Sequence, residues 1–111
     1  MEHRRSDRRY ERRVEIDITT DGGVVTTITR NISLGGVFID TDRTMPFGAK
    51  VTLKFRVPTQ TDPIEVDGQV RWVEMEDGQV RGIGIRFEGL RARDVWALNK
   101  FFEKPSEPPN E

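Results

Sequence analysis

Cysteine is absent from the 111-residue sequence, and histidine occurs only once, as His3. The chain therefore forms no disulfide bond and no thiolate metal site, and a single histidine in a polar segment has no second imidazole with which to share a metal ion. A Walker-type glycine loop is also missing, and the acidic residues are scattered along the polar faces of predicted strands. These absences predict a protein that is not an enzyme and that uses neither a metal ion nor a cofactor.

Long apolar segments are missing as well. No run of the sequence approaches the roughly 20 residues of a transmembrane helix, and no apolar stretch follows the basic N-terminus as it would in a signal peptide. We therefore predict a cytoplasmic protein that does not bind membranes. The length, with 34% hydrophobic and 33% charged residues, predicts one small domain with a modest core.

Positive charge is concentrated in an N-terminal arm, residues 1–13. This arm contains six arginines against three acidic residues, a balance of +3, although the whole chain carries a net charge of −1. A local excess of positive charge on a balanced chain predicts a local anion site rather than general binding to polyanions. Because only Tyr10 in the arm is apolar enough to pack, we expect the arm to be flexible without a partner.

The arginines of the arm also indicate the kind of anion. They occupy positions 4, 5, 8, 9, 12 and 13, so several are spaced four residues apart. A guanidinium group is a planar fork of donors that matches phosphate oxygens and the O6/N7 edge of guanine, and its flat face stacks on bases. We therefore expect a partner that carries phosphate or guanine.

Apolar and polar residues alternate with a period of two over most of the chain, which predicts β-strands. Six strands are predicted, beginning near Val14, Val24, Val37, Val51, Ile64 and Val80. The connections are too short for crossovers, so we expect an all-β fold, most simply a small antiparallel barrel, whose closure leaves no exposed edge. Gly68, in the middle of the fifth predicted strand, indicates a bulge or a sharp bend.

The end of the chain has a different pattern. Apolar residues recur there at helical spacing, at Val95, Leu98, Phe101 and Phe102. They predict one amphipathic α-helix that begins near Ala92, ends before Pro105 and packs against the barrel. We divide the chain into the arm (1–13), the barrel with its helix (14–103) and a disordered tail (104–111).

A polar segment, Asn31-Ile32-Ser33-Leu34-Gly35-Gly36, separates the second and third predicted strands. Asn and Ser side chains bond to nearby backbone or to a ligand, and paired glycines allow another molecule to approach the main chain. The same composition is typical of an ordinary turn without a ligand. Strict alternation along the second strand puts Arg30 and Ile32 on one face and Asn31 on the other.

Two short motifs stand on either side of the first predicted hairpin: Arg9-x-x-x-Arg13 and Asn31-x-Ser33-x-x-Gly36. Together they resemble the RxxxR and [D/N]xSxxG motifs of the PilZ domain family, and Gly82–Phe87 resembles the family's closing strand. The similarity extends from about residue 4 to the helix near residue 102. Members of this family are bacterial receptors for cyclic di-GMP. The resemblance implies a six-stranded antiparallel barrel with one C-terminal helix and a flexible N-terminal arm.

The resemblance also implies roles for the motif residues, with the arm closing over the ligand on the barrel. Arg9 and Arg13 would contact phosphate and the Hoogsteen edge of guanine. Asn31 and Ser33 would contact guanine and its phosphate from the barrel surface. The adjacent glycines, Gly35 and Gly36, would form part of the site, and Gly36 would keep the backbone clear of the ligand.

Other residues are candidates for additional roles in the implied site. In this family, an arginine just before the first motif arginine accompanies the binding of an intercalated ligand dimer. Arg8 has this position, so we expect two cyclic di-GMP molecules per site. Arg12 and Arg30 are candidates for secondary contacts, and solvent exposure is the favoured interpretation for Arg12. Trp72 is expected in the core on the apolar face of the fifth strand, with a base-stacking surface as the alternative.

We therefore expect a cyclic di-GMP receptor that signals to an unidentified downstream protein. Two alternatives remain from the sequence. A PilZ-like adaptor that binds only proteins would not need to keep Arg9, Arg13, Asn31, Ser33 and Gly36. A barrel that binds single-stranded nucleic acid usually has a basic body with clustered exposed aromatic residues, and this body is not basic, so no nucleic acid is expected.

Overall fold

The computed structural model describes residues 8–104 and contains six strands and one helix. The elements are β1 (Glu15–Thr20), β2 (Gly23–Ile32), β3 (Gly36–Asp40), β4 (Lys50–Phe55), β5 (Ile64–Glu76), β6 (Gln79–Glu88) and α1 (Ala92–Glu103). The strands form a closed barrel in the order β1-β2-β3-β6-β5-β4, with antiparallel pairing throughout. This confirms the predicted barrel with a C-terminal helix. Residues 1–7 of the predicted arm and 105–111 of the predicted tail lie outside the described residues.

The core of the barrel consists of the inward-facing residues of all six strands. Fully buried examples are Ile16, Ile18, Ile39, Leu53, Ile64 and Ile83. On β4 the buried residues alternate strictly with exposed ones, as the period of two predicts. Burial of these branched side chains is the main favourable contribution to folding, about 1.5–3 kcal/mol for each side chain removed from water.

A β-bulge at Arg30 changes which residues of β2 face the core. The pairing of β2 with β3 is interrupted between Thr29 and Asn31, so Arg30 has no partner of its own. Ile32 is consequently fully buried, whereas Asn31 pairs with Phe38 on the outer surface. The prediction that Arg30 and Ile32 share one face, opposite Asn31, is therefore wrong, because the extra residue shifts the alternation.

A second bulge lies in β5. The pairing of β5 with β6 is interrupted between Val70 and Trp72, so Arg71 is the extra residue. Val70 is fully buried, but Trp72 is 63% exposed. The expectation that Trp72 belongs to the core is therefore wrong, since the bulge turns its side chain outwards.

Gly68 is not the site of a bulge. Its pairing is regular on both sides, with Val51 on β4 and with Phe87 on β6. Gly68 is buried instead, and a Cβ at this position would lie 2.6 Å from Cγ2 of Ile85. The glycine is therefore required by close packing inside the barrel, and the bulge of β5 lies three residues further on, at Arg71.

Helix α1 packs its buried face against the core and ends before Pro105, as predicted. Its buried residues include Ala97, Leu98 and Phe102. The hydroxyl of Thr59 donates a hydrogen bond to the Ala97 carbonyl at 2.6 Å, which attaches the β4–β5 connection to the helix. Within residues 8–104, no helix is long and apolar enough to span a bilayer.

Thr29 attaches the arm to the barrel through a fully buried hydroxyl. Its Oγ1 donates to the Arg12 carbonyl at 2.6 Å and accepts from the Val14 N–H at 2.9 Å. Thr29→Val would leave both backbone groups without this partner, so we expect the free energy of unfolding to fall by about 2 kcal/mol. Chemical denaturation checks this, with Thr52→Val, at an exposed position of β4, as the control. Equal losses in the two variants would contradict it.

Candidate functional site

An open cavity of about 450 Å³ lies on the outer surface of the barrel, where the arm approaches β3, β6 and β5. Its lining residues are Arg9, Gly35, Gly36, Val37, Phe38, Arg71, Trp72, Gly84, Ile85 and Arg86. Three of them are arginines, and within the described part of the chain no acidic residue lines the cavity. The site therefore favours an anionic ligand.

Two aromatic side chains stand on either side of a glycine at this cavity. Phe38 of β3 and Trp72 of β5 are both paired with Gly84 of β6. A Cβ at Gly84 would lie 3.0 Å from Cβ of Trp72 and 3.4 Å from Cδ2 of Phe38. The absence of a side chain at Gly84 lets both aromatic residues lie close against β6, and their surfaces at the cavity suit a flat group such as a nucleobase.

The loop between β2 and β3 is held by Ser33. The Ser33 hydroxyl accepts hydrogen bonds from the N–H groups of Gly35 at 3.0 Å and Gly36 at 3.1 Å, and the Gly35 carbonyl accepts from the Phe87 N–H at 2.8 Å. Ser33 itself is fully buried. Ser33 therefore fixes the glycines that line the cavity and does not line it itself. Its direct contact with a ligand stays a prediction.

Gly36 is required by the approach of β3 to β6. A Cβ at this position would lie 3.0 Å from the carbonyl carbon of Ile85 and closer still to the carbonyl oxygen, a separation that real Cβ atoms do not reach. The sequence had suggested that Gly36 keeps the backbone clear for a ligand. Gly36 does line the cavity, but the barrel itself already demands glycine here.

Arg9 and Asn31 are the residues that bring the two motifs together. Nε of Arg9 donates a hydrogen bond to Oδ1 of Asn31 at 2.6 Å, at the edge of the cavity that Arg9 lines. The backbone of the next residue, Tyr10, exchanges two hydrogen bonds with Ile32, at 2.8 and 2.9 Å. The arm thus contacts β2 beside the site. The predicted mobility of the arm stays a prediction.

Arg8 and Arg13 do not line the cavity, although both belong to the predicted site. Both are exposed. The guanidinium carbon of Arg8 lies 5.2 Å from the centre of the Tyr10 ring, which directs it along the arm. Contacts of Arg8 and Arg13 with a ligand therefore stay predictions and require a different position of the arm.

Arg12 is attached to the C-terminal end of α1. Its Nη2 donates to the carbonyls of Lys104 at 2.7 Å and Phe102 at 3.4 Å, and the Phe102 ring stacks on Tyr10 with centroids 4.2 Å apart. Arg12 is half-buried, so the favoured interpretation of a solvated charge is wrong. Carbonyls at a helix C-terminus are natural acceptors for a cation, which explains the position.

Arg30 is paired with carboxylates on two other strands, Asp40 of β3 and Glu74 of β5. Its Nη2 bonds to Asp40 and, at 3.2 Å, to Glu74, and its guanidinium carbon lies 4.5 Å from the centre of the Phe38 ring. The hydrogen bond to Asp40 raises the pKa of the Arg30 guanidinium above its ordinary value, against a lowering by partial burial. Arg30 does not line the cavity.

Six cavity residues were not anticipated from the sequence as part of the site: Val37, Phe38, Arg71, Gly84, Ile85 and Arg86. Arg71 occupies the bulge in β5, which no local pattern indicates. The repeat Gly82-x-Gly84 was a usable signal, because two glycines on one face of a strand leave room for neighbouring aromatic side chains. Within residues 8–104, no cluster of acidic or histidine side chains is placed to hold a metal ion.

Solved structures with the same fold include several proteins of low sequence identity. The inhibitor of motility MotI/DgrA of Bacillus subtilis has a TM-score of 0.74 and 20% identity, covering 92% of this chain and 53% of that chain. The PilZ domain of YcgR from Escherichia coli, solved with c-di-GMP, has a TM-score of 0.66 and 15% identity, covering 90% of each chain. This chain thus spans about half the length of MotI/DgrA.

A third structure is the PlzA protein of Borreliella burgdorferi in complex with c-di-GMP, with a TM-score of 0.60 and 14% identity, covering 80% of this chain and 32% of that chain. No curated protein matches the sequence. The family model described as PilZ domain matches residues 2–104, which include both motifs, all six strands and the helix. The chain therefore belongs to the PilZ domain family.

Proposed function

We propose that this protein is a cyclic di-GMP receptor that binds the nucleotide in the cavity between the arm and the barrel. The observation that carries the proposal is the hydrogen bond between Arg9 and Asn31, because it joins the two family motifs at the cavity wall. The structures of YcgR and PlzA, which were solved with c-di-GMP, support the same choice of ligand.

The chemistry of the cavity fits the two parts of such a ligand. Arg9, Arg71 and Arg86 supply positive charge for phosphate groups, and an arginine fork also matches the O6/N7 edge of guanine. Trp72 and Phe38 offer aromatic surface on which a guanine base can stack. A cyclic dinucleotide combines both features, and a mononucleotide has only one base to place.

Ligand binding would then order the arm and create a new surface for a downstream protein in the cytoplasm. Fixing the backbone costs about 1–2 kcal/mol for each residue that becomes ordered, and charge-assisted hydrogen bonds of about 1.5–3 kcal/mol each offset this cost only when ligand is present. Arg8 and Arg13 would reach the ligand in the ordered state. The intercalated ligand dimer implied by Arg8 belongs to the same proposal.

Isothermal titration of the purified protein with cyclic di-GMP tests the proposal, with GTP and linear pGpG as controls. We expect saturable binding of cyclic di-GMP alone, and about two ligands per chain if the dimer forms. Ligand at 100 times its dissociation constant should also stabilise the fold by about 2.7 kcal/mol. No heat and no thermal stabilisation at ligand excess would overturn the proposal and favour a protein-binding adaptor.

A further inference from the structure

We infer that Arg30 is a positioning residue of the site, which holds the ring of Phe38 in place as one aromatic wall of the cavity. The inference concerns a residue that lies behind the cavity and does not line it. It rests on the proposed function for the identity of the ligand. The arrangement of Arg30 and Phe38 can be tested without any ligand.

The guanidinium group of Arg30 is fixed by carboxylates on two strands. Asp40 of β3 accepts from Nε at 2.8 Å and also from Nη2, and Glu74 of β5 accepts from Nη2 at 3.2 Å. The group therefore reaches from β2 across the outer surface to β5. A planar fork held at two of its nitrogens keeps one orientation, unlike a lysine ammonium group.

The ring of Phe38 lies between this guanidinium group and β6. On one side the guanidinium carbon of Arg30 is 4.5 Å from the ring centre, a cation–π contact. On the other side a Cβ at Gly82 would lie 2.8 Å from Cζ of the ring and closer still to Cε1. The absence of side chains at the glycines of β6 thus leaves the space that the Phe38 ring occupies. The guanidinium group of Arg30 lies over this ring.

Fixing Phe38 sets the shape of the cavity. Phe38 and Trp72 flank Gly84 and both line the cavity, so the position of the Phe38 ring determines part of the aromatic surface that a ligand meets. A wall that is already in place needs no ordering when the ligand binds, and affinity rises accordingly. The bulge in β2 places Arg30 on the outer surface, where its guanidinium group contacts the Phe38 ring.

Arg30 also offsets part of the negative charge of Asp40 and Glu74, so the charge effect must be separated from the positioning effect. Removing Arg30 alone would leave two carboxylates near an anion site and would weaken binding by repulsion. The triple variant R30Q/D40N/E74Q abolishes the cation–π contact and removes one positive and two negative charges together. Because the cluster then loses its net negative charge, electrostatics alone would strengthen anion binding, and a weaker affinity reports the lost positioning.

Cyclic di-GMP affinity is measured for the wild type, for Phe38→Leu, for the triple variant and for the combination of the two. We expect about tenfold weaker binding for Phe38→Leu, the loss typical of one stacking contact, and a similar loss for the triple variant. The combination should bind no more weakly than Phe38→Leu alone, because Arg30 acts through Phe38. Additive losses, or wild-type affinity of the triple variant, would overturn the inference.

Aromatic NMR of the ligand-free protein with ¹³C-labelled phenylalanine gives an independent result. We expect the Phe38 ring signals to shift, and ring rotation to accelerate, in the triple variant. The other phenylalanine signals should not change. The control Arg56→Gln, at an exposed arginine that bonds to the Thr61 carbonyl, should leave Phe38 unaffected. If the wild type binds no cyclic di-GMP, the proposed function fails, and these spectra alone decide whether Arg30 holds Phe38. Unchanged Phe38 signals would overturn the inference.

Discussion

Arg9→Ala is expected to weaken the binding of cyclic di-GMP at least about 100-fold, because two lost charge-assisted hydrogen bonds are worth about 3 kcal/mol or more. Arg9 lines the cavity and donates to Asn31, and from this position its guanidinium group would contact the ligand. The side chain is exposed, and its removal should change the free energy of unfolding by less than about 0.5 kcal/mol. Titration calorimetry and chemical denaturation measure the two quantities.

Arg56→Ala is the matched control for Arg9→Ala. Arg56 is also exposed and carries the same charge, but it bonds to the Thr61 carbonyl and does not line the cavity. We expect near wild-type affinity for this variant. Arg13→Ala should resemble Arg9→Ala if the arm closes on the ligand as the family resemblance implies. Retained affinity in Arg9→Ala would count heavily against the proposed site.

Gly36→Ala is expected to destabilise the fold by about 3 kcal/mol, the upper end of the usual cost of overpacking. The added Cβ would meet the backbone carbonyl of Ile85, which cannot rotate away as a side chain can. The strands β3 and β6 would have to separate where Gly36 pairs with Arg86. For a domain of this size the loss corresponds to a fall in Tm of about 15 °C.

Gly22→Ala provides the control for Gly36→Ala. A Cβ at Gly22, in the turn between β1 and β2, would lie 3.8 Å from Oγ1 of Thr20, which is an ordinary contact. Thermal and chemical denaturation of the two variants measures the effect of the same added methyl group on stability, once at a position with free space and once at a closely packed one. A stability of Gly36→Ala equal to that of Gly22→Ala would show that β3 and β6 are not in this close contact.

The number, order and pairing mode of the strands could be predicted because they depend on local alternation and on short connections. The helix was predictable for the same reason, since its apolar spacing and Pro105 are local signals. The bulges at Arg30 and Arg71 could not be predicted. They shift the alternation of β2 and β5, and nothing in the local sequence marks either arginine as the extra residue.

The candidate site was predictable only where a motif marks it. Arg9 and Asn31 belong to motifs, and the structure brings them within hydrogen-bonding distance. Phe38, Arg71 and Arg86 join them through the pairing of β6 with β3 and β5, which connects residues far apart in the chain. Such neighbours follow from barrel closure, and no local pattern contains this information.

The contact of Arg12 with the end of α1 brings the two ends of the described chain together. The side chain of one arginine spans the separation, since Nη2 of Arg12 lies 2.7 Å from the Lys104 carbonyl oxygen. A circular permutant that joins these ends by a short linker and opens the chain at the Asp21–Gly22 turn would keep all six strand pairings. Any domain fused before the arm would likewise emerge beside a domain fused after the helix.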